Sequence, residues 1–219
     1  MKIGVFDSGI GGTTVLAALR ELLPNEEYHY IADSKNCPYG EKSDEELRRI
    51  VVMNVEKLRA WGAKIIVIAC NTATTRCIGY LRQQYPGITF IGTEPAIKLA
   101  TKITDATNIL VLATPGTIAS ERTKALLKEN QKPGQNIILL PCPGLADVIE
   151  KYLAIDSSKI VDKLTELLAG VPMPDVVVLG CTHYSLIKDY IQDLFPNAKL
   201  LDGNFGIACR LKQLLDVVI

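Results

Sequence analysis

The run Val176-Val177-Val178-Leu179-Gly180-Cys181-Thr182-His183-Tyr184 constrains the fold of this chain more than any other stretch. An apolar, β-branched run without polar alternation reads as a strand buried on both faces, and sheets of that kind are parallel. The glycine, the cysteine and the hydrogen-bonding side chains after it read as a tight turn, with a helix from about Ser185 to Leu194. Open α/β sheets bind ligands beyond the carboxyl ends of their strands, and Cys181 falls at such an end.

The same order recurs at Lys64-Ile65-Ile66-Val67-Ile68-Ala69-Cys70-Asn71-Thr72-Ala73-Thr74. A second matching pair, Ile3 to Gly9 and Ile109 to Thr117, again runs from strand into small polar residues. These contexts predict an internal repeat. The expected fold is α/β: two pseudo-symmetric parallel-sheet domains, 1–94 and 95–203, with a C-terminal helix at 204–219 packing back on the first. The site would lie in the cleft between them. One cysteine at a strand end is often just a core residue. Two in the same context, each followed by polar residues in a turn, point to function.

The rest of the pattern alternates strand and helix, as a mainly parallel sheet requires. Ser43-Asp44-Glu45-Glu46 has the form of a capping box, a single helix is expected over Ile118–Asn130, and Ser34–Glu41 reads as a loop. Hydrophobic residues make up 48% of the chain without an apolar run of membrane-spanning length, so a soluble globular protein is expected. No apolar leader precedes Asp7. The six cysteines (37, 70, 77, 142, 181, 209) are therefore expected as reduced thiols in a cytoplasmic protein. The net charge is zero and no basic stretch stands out, which argues against nucleic acid or a membrane surface as partner. A homodimer is left open.

A cysteine at a helix N-terminus meets the positive end of the dipole, which is expected to lower its pKa. Hydroxyls, the Asn71 amide and free backbone N–H groups at such helix starts make an anion site for a small carboxylate or a phosphate. Two thiols on opposite faces of one carbon can remove a proton from one side and deliver another to the other, inverting a stereocentre. Other readings fit less of the pattern. Ser8-Gly9-Ile10-Gly11-Gly12 resembles a phosphate loop but lacks the full glycine spacing and a lysine. Zinc has one close pair, Cys181 and His183, and no C-x-x-C, so no metal is expected. A cysteine hydrolase would need His183 to reach a thiol two residues away on a tight turn, and would leave Cys70 idle.

Five motifs in order resemble one family, the cofactor-independent glutamate racemases of the aspartate/glutamate racemase superfamily. They are Phe6-Asp7-Ser8-Gly9-Ile10-Gly11-Gly12, Pro38-Tyr39-Gly40, Ala69-Cys70-Asn71-Thr72-Ala73, Ala113-Thr114-Pro115-Gly116-Thr117 with Ser120, and Leu179-Gly180-Cys181-Thr182-His183-Tyr184. The resemblance implies Cys70 and Cys181 as the two bases, serving the D- and L-enantiomers respectively, with Asp7, Glu150 and His183 assisting. It implies Asp7, Ser8, Tyr39, Gly40, Asn71, Thr72, Thr114, Thr117, Thr182 and His183 as substrate contacts, and no cofactor. The product would be D-glutamate for peptidoglycan in a bacterial cytoplasm. Two alternatives stay open: a racemase of aspartate or another acidic amino acid, and a non-catalytic α/β module binding phosphate or nucleotide through Ser8–Gly12.

Overall fold

The computed structural model describes residues 1–103 and 105–218. The first half of the chain forms β1 (Lys2–Asp7), α1 (Thr13–Leu22), β2 (Glu27–Ala32), α2 (Asp44–Ala60), β3 (Ile65–Ile68), α3 (Asn71–Gln84) and β4 (Thr89–Gly92). The second forms α4 (Ile97–Ala100), β5 (Asn108–Ala113), α5 (Pro115–Ala119), α6 (Glu121–Asn130), β6 (Asn136–Pro141), α7 (Leu145–Tyr152) and α8 (Ser158–Leu168). It continues through β7 (Val176–Gly180), α9 (Thr182–Leu186), α10 (Lys188–Leu194) and β8 (Lys199–Leu201) to α11 (Asn204–Val218). The expected last residue of that helix, 219, lies outside the described residues.

Two four-stranded parallel sheets result, ordered β2-β1-β3-β4 and β6-β5-β7-β8. The orders are the same pattern twice, which is the repeat seen in the sequence. Register then fixes what meets at the strand ends. Phe6 pairs with Ile68 across β1 and β3, and Ala113 pairs with Gly180 across β5 and β7. Asp7 and Cys70 therefore leave the first sheet side by side, as Thr114 and Cys181 leave the second.

Both faces of each sheet are covered, which is why the inner strands β3 and β7 carry no polar side chain and are buried at every position. On the first, Phe6, Ile66 and Ile68 pack with Leu47, Leu58 and Leu81 of α2 and α3. Ile3, Val5 and Val67 pack on the other side with Val15 and Leu19 of α1 and Leu211 of α11. The C-terminal helix thus lies on the first half although it follows the second in sequence. Around the second sheet, Leu110, Leu112, Val177 and Leu179 pack with Leu145, Ile149, Ile160 and Leu164 of α7 and α8. Ile109, Val111 and Val178 meet Ile97 and Leu126 of α4 and α6.

Three local expectations change. The helix expected over Ile118–Asn130 is two, because Ser120 adopts extended dihedrals and caps α6 by accepting from the Thr123 N–H. The helix after Cys181 begins at Thr182 rather than Ser185 and breaks at Ile187. Half of the capping box forms: Ser43 Oγ accepts from the Glu46 N–H, while the Glu46 carboxylate turns to Lys42. Among the described residues, no helix is long and apolar enough to cross a membrane.

Candidate active site

Cys70 and Cys181 occupy equivalent places, each the residue before a helix that starts at a strand's carboxyl end. Both are nearly sealed, with 5% and 7% of their surface exposed. Burial dominates their acidity. It pushes the Cys70 thiol from about 9 up to about 12, with the Asp7 carboxylate adding to the rise; the Ala73 and Thr72 N–H groups and Ser8 pull the other way. Burial also drives Cys181 well above its ordinary value, and an ionised Cys70 and Asp7 push it further. The expectation of lowered thiol pKa values is therefore overturned. The helix N-termini supply their N–H groups, but the facing half of the molecule removes the water that would solvate a thiolate, and desolvation outweighs the dipole.

His183 is fully buried and reaches the thiol that the sequence reading placed beyond it: its Nδ1 lies 3.9 Å from Cys181 Sγ. Extended Cys181 feeds straight into α9, so the ring of the second helical residue folds back over it. The other ring nitrogen, Nε2, is 2.7 Å from Glu150 Oε2. The Glu150 carboxylate at Nε2 holds the ring with Nδ1 towards the thiol. Glu150 also accepts from the Ile10 N–H at 2.9 Å and from the Ser34 hydroxyl, tying the second half to the first. Burial alone would raise its pKa, but His183, Ser34 and Ile10 together hold it below the ordinary value.

Asp7, also fully buried, accepts from the Gly12 N–H at 2.9 Å and the Gly9 N–H at 3.3 Å, and from the Thr182 hydroxyl across the cleft at 3.2 Å. Its pKa is raised because burial exceeds the opposing pull of His183 and these donors. The Ser8 hydroxyl stands 3.8 Å from Cys70 Sγ. On the far side of the site, three buried hydroxyls bond one another across the halves: Thr72 lies 2.8 Å from Thr114 and 3.1 Å from Thr117, and Thr114 lies 3.0 Å from Thr117. Asn71 is buried, and its Oδ1 is the one buried side-chain nitrogen or oxygen among the described residues without a hydrogen-bond partner. An orphaned buried acceptor costs about 1–3 kcal/mol, which a cationic donor in the site would recover.

Tyr39 and Gly40 are buried beside this group, but they contribute differently from one another. The Tyr39 hydroxyl donates to Asp33 at 2.6 Å and accepts from Asn54 at 3.0 Å, which anchors its loop. Gly40 presses on Thr114, where a Cβ would meet that residue's Cβ at 2.5 Å. Gly116 closes on the Gly40 carbonyl in the same way, at 2.7 Å. This pair helps to line a cavity of about 820 Å³, together with Lys42, Thr75, Arg76 and Ser120. Two residues with contacts here drew no attention in the sequence: Ser34, and Tyr30, whose hydroxyl donates to the Gly9 carbonyl at 2.6 Å. Each acts on a residue far away in the chain, so no local spacing marks it.

The family model described as Asp/Glu/Hydantoin racemase matches residues 4–205. The chain belongs to that racemase family. A glutamate racemase of Ectopseudomonas mendocina is 42% identical to it, over 97% of this chain and 81% of that protein. One from Clostridium perfringens is 41% identical, over 98% and 83%. Among solved structures, Escherichia coli glutamate racemase in complex with L-glutamate and the activator UDP-MurNAc-Ala superposes with a TM-score of 0.89. It is 33% identical and matches over 98% of this chain and 82% of that one. Francisella tularensis glutamate racemase in complex with D-glutamate gives 0.81 at 30% identity, over 98% and 80%. Picrophilus torridus aspartate racemase shares the fold, with a TM-score of 0.61 at 15% identity. This racemase therefore has the two-sheet architecture of its relatives over nearly its whole length.

Proposed function

We infer that this chain interconverts L- and D-glutamate by proton transfer between two thiols, Cys70 and Cys181. It is a glutamate racemase, an isomerase, on full-length identity of about 40% to enzymes of that activity; their role is to supply D-glutamate for peptidoglycan. The two-thiol mechanism rests on one observation: equivalent, nearly sealed cysteines end equivalent strands of two sheets with the same order. In one direction the Cys181 thiolate takes the α-proton of L-glutamate, and the Cys70 thiol gives its proton to the opposite face. The reverse direction exchanges the roles. Both acid–base groups are the chain's own, so the step needs no cofactor.

A raised thiol pKa suits this work. The α-proton of an amino acid is weakly acidic, and a desolvated thiolate is a stronger base than a solvated one. The closed site also keeps water from the carbanion. His183, oriented by Glu150, faces the Cys181 thiol and assists it; Asp7 assists beside Cys70 and Ser8. The Asn71 Oδ1 acceptor suits the substrate ammonium. The Thr72–Thr114–Thr117 hydroxyls and the Thr182 hydroxyl suit its carboxylates, with the Gly40 backbone closing the pocket. The place of action is then a bacterial cytoplasm.

Serine variants test this reading. Cys70→Ser and Cys181→Ser keep the shape but remove the acid–base group, so each should lose racemisation at least 10³-fold in an assay without added cofactor, while still binding glutamate. Near-parental turnover in either variant would overturn the two-thiol assignment.

A further inference from the structure

We propose that Cys37, Glu150 and His183 form a binding site for a divalent cation of the zinc type, and that filling it stops racemisation. The inhibitory half of this rests on the reading of Glu150 and His183 as assisting groups; the binding half does not.

Cys37 belongs to the turn that follows β2, Glu150 to α7, and His183 to α9. They come from three separate stretches of chain, yet one ligand atom from each lies within 4.8 Å of the other two. Sulfur, imidazole nitrogen and carboxylate oxygen are the donors that Zn²⁺ takes, at about 2.0–2.3 Å, and a tetrahedral site sets such donors about 3.5 Å apart. The group is thus close to coordination geometry and needs side-chain shifts of about an ångström. Hard cations such as Mg²⁺ fit poorly, because they prefer oxygen throughout.

The surroundings favour the same assignment. His183 directs Nδ1 at Cys181, which leaves Nε2 for the cation. The Ile10 N–H and the Ser34 hydroxyl already orient the Glu150 carboxylate, as outer-shell donors do at metal centres. Cys37 and Glu150 are half-buried and His183 is sealed behind them, so a cation has an approach from the solvent side. Three protein ligands leave the fourth position to water. Binding converts the Cys37 thiol to a thiolate and releases its proton to solvent. The Nε2–Glu150 hydrogen bond is replaced by two metal bonds; the Nε2 proton leaves to solvent or moves to Nδ1, and with its ring bound to the cation His183 is no longer free to exchange a proton with Cys181.

The test uses the full chain, freed of metal with a chelator and then titrated with Zn²⁺ or with Co²⁺ as a spectroscopic probe. One ion per chain should bind, Co²⁺ should show a thiolate-to-metal charge-transfer band, and Zn²⁺ should inhibit racemisation reversibly on adding chelator. Cys37→Ser should racemise like the parent when metal-free, since Cys37 has no part in the proposed proton transfer. It should bind Zn²⁺ at least ten-fold more weakly, lose the charge-transfer band and lose the inhibition in step. Cys37→Ala repeats the comparison should the serine variant melt early. No stoichiometric binding by the parent overturns the proposal. So does equal inhibition of the Cys37 variants, which would put the metal on Cys70 or Cys181. Stoichiometric binding through Cys37 by a protein that failed to racemise would leave the metal site standing and remove the functional reading beneath its inhibitory role.

Discussion

A methyl group at Gly11 should separate the two halves of the site by pressing on the start of α9, where it would also meet His183 Nδ1 at 2.8 Å. Gly11 is buried in the turn before α1, against the start of α9. A Cβ there would stand 2.5 Å from the His183 backbone nitrogen and 2.6 Å from Thr182 Oγ1. Ordinary contact begins at 3.4 Å, so about 0.9 Å must be found, and the nearest atom is backbone. Rotating a side chain does not relieve that clash, so α9 must move off the first half. The motion stretches the Thr182–Asp7 hydrogen bond from 3.2 Å and carries Cys181 and His183 away from Cys70. A displacement near 1 Å costs about 10²-fold in rate, or about 2.7 kcal/mol in the barrier. The extra volume costs a further ~1–3 kcal/mol of stability. Gly11→Ala should therefore keep the fold and lose about a hundred-fold in kcat in both directions, followed by polarimetry. Gly79→Ala, where nothing lies within 4 Å of the new methyl, is the control and should keep parental kcat. Retention of kcat within three-fold in Gly11→Ala would refute the argument that the halves are in tight register.

Two further outcomes follow from the same geometry. Because the Cys70 pKa is raised from about 9 to about 12, its thiolate grows about ten-fold per pH unit between neutrality and that value, so kcat/KM should climb from pH 7 to 9; a flat profile there would contradict thiol bases in a sealed site. Thr72→Val removes one hydroxyl from the buried trio at 2.8 Å and 3.1 Å, and if that trio holds a substrate carboxylate the loss of ~1.5–3 kcal/mol should lower kcat/KM about ten- to a hundred-fold; a change under two-fold would take the trio out of the binding site.

The parts of the fold legible in the sequence are those governed by local pattern. Val176–Leu179 and Ile65–Ile68 are apolar at every position because helices cover both sheet faces, and that alone identifies buried parallel strands. The repeated strand–cysteine order likewise revealed two similar halves, since equal sheet orders need equal strand contexts. What the sequence hid depends on the other half of the molecule. Cys70 and Cys181 each sit at a helix N-terminus, which by itself lowers a thiol pKa; the opposing half seals them and reverses the sign. The 3.9 Å approach of His183 to Cys181 depends on where α9 begins, a boundary misplaced by three residues in the sequence reading. Ser120 looked like mid-helix, yet its hydroxyl caps α6 and breaks the run. Cys37 has no motif at all, because its neighbours come from α7 and α9.

Proton bookkeeping at the substrate tests the central claim most directly. Parent enzyme is given L-glutamate in deuterated water, and the α-position of each enantiomer is read by proton NMR at low conversion. With one thiol removing the α-proton and a different, solvent-equilibrated thiol delivering the new one, early D-glutamate should carry deuterium at Cα. The remaining L-glutamate should still carry mostly protium. Substantial protium in the D-product would mean that a single group serves both faces, and would contradict the division of labour between Cys70 and Cys181.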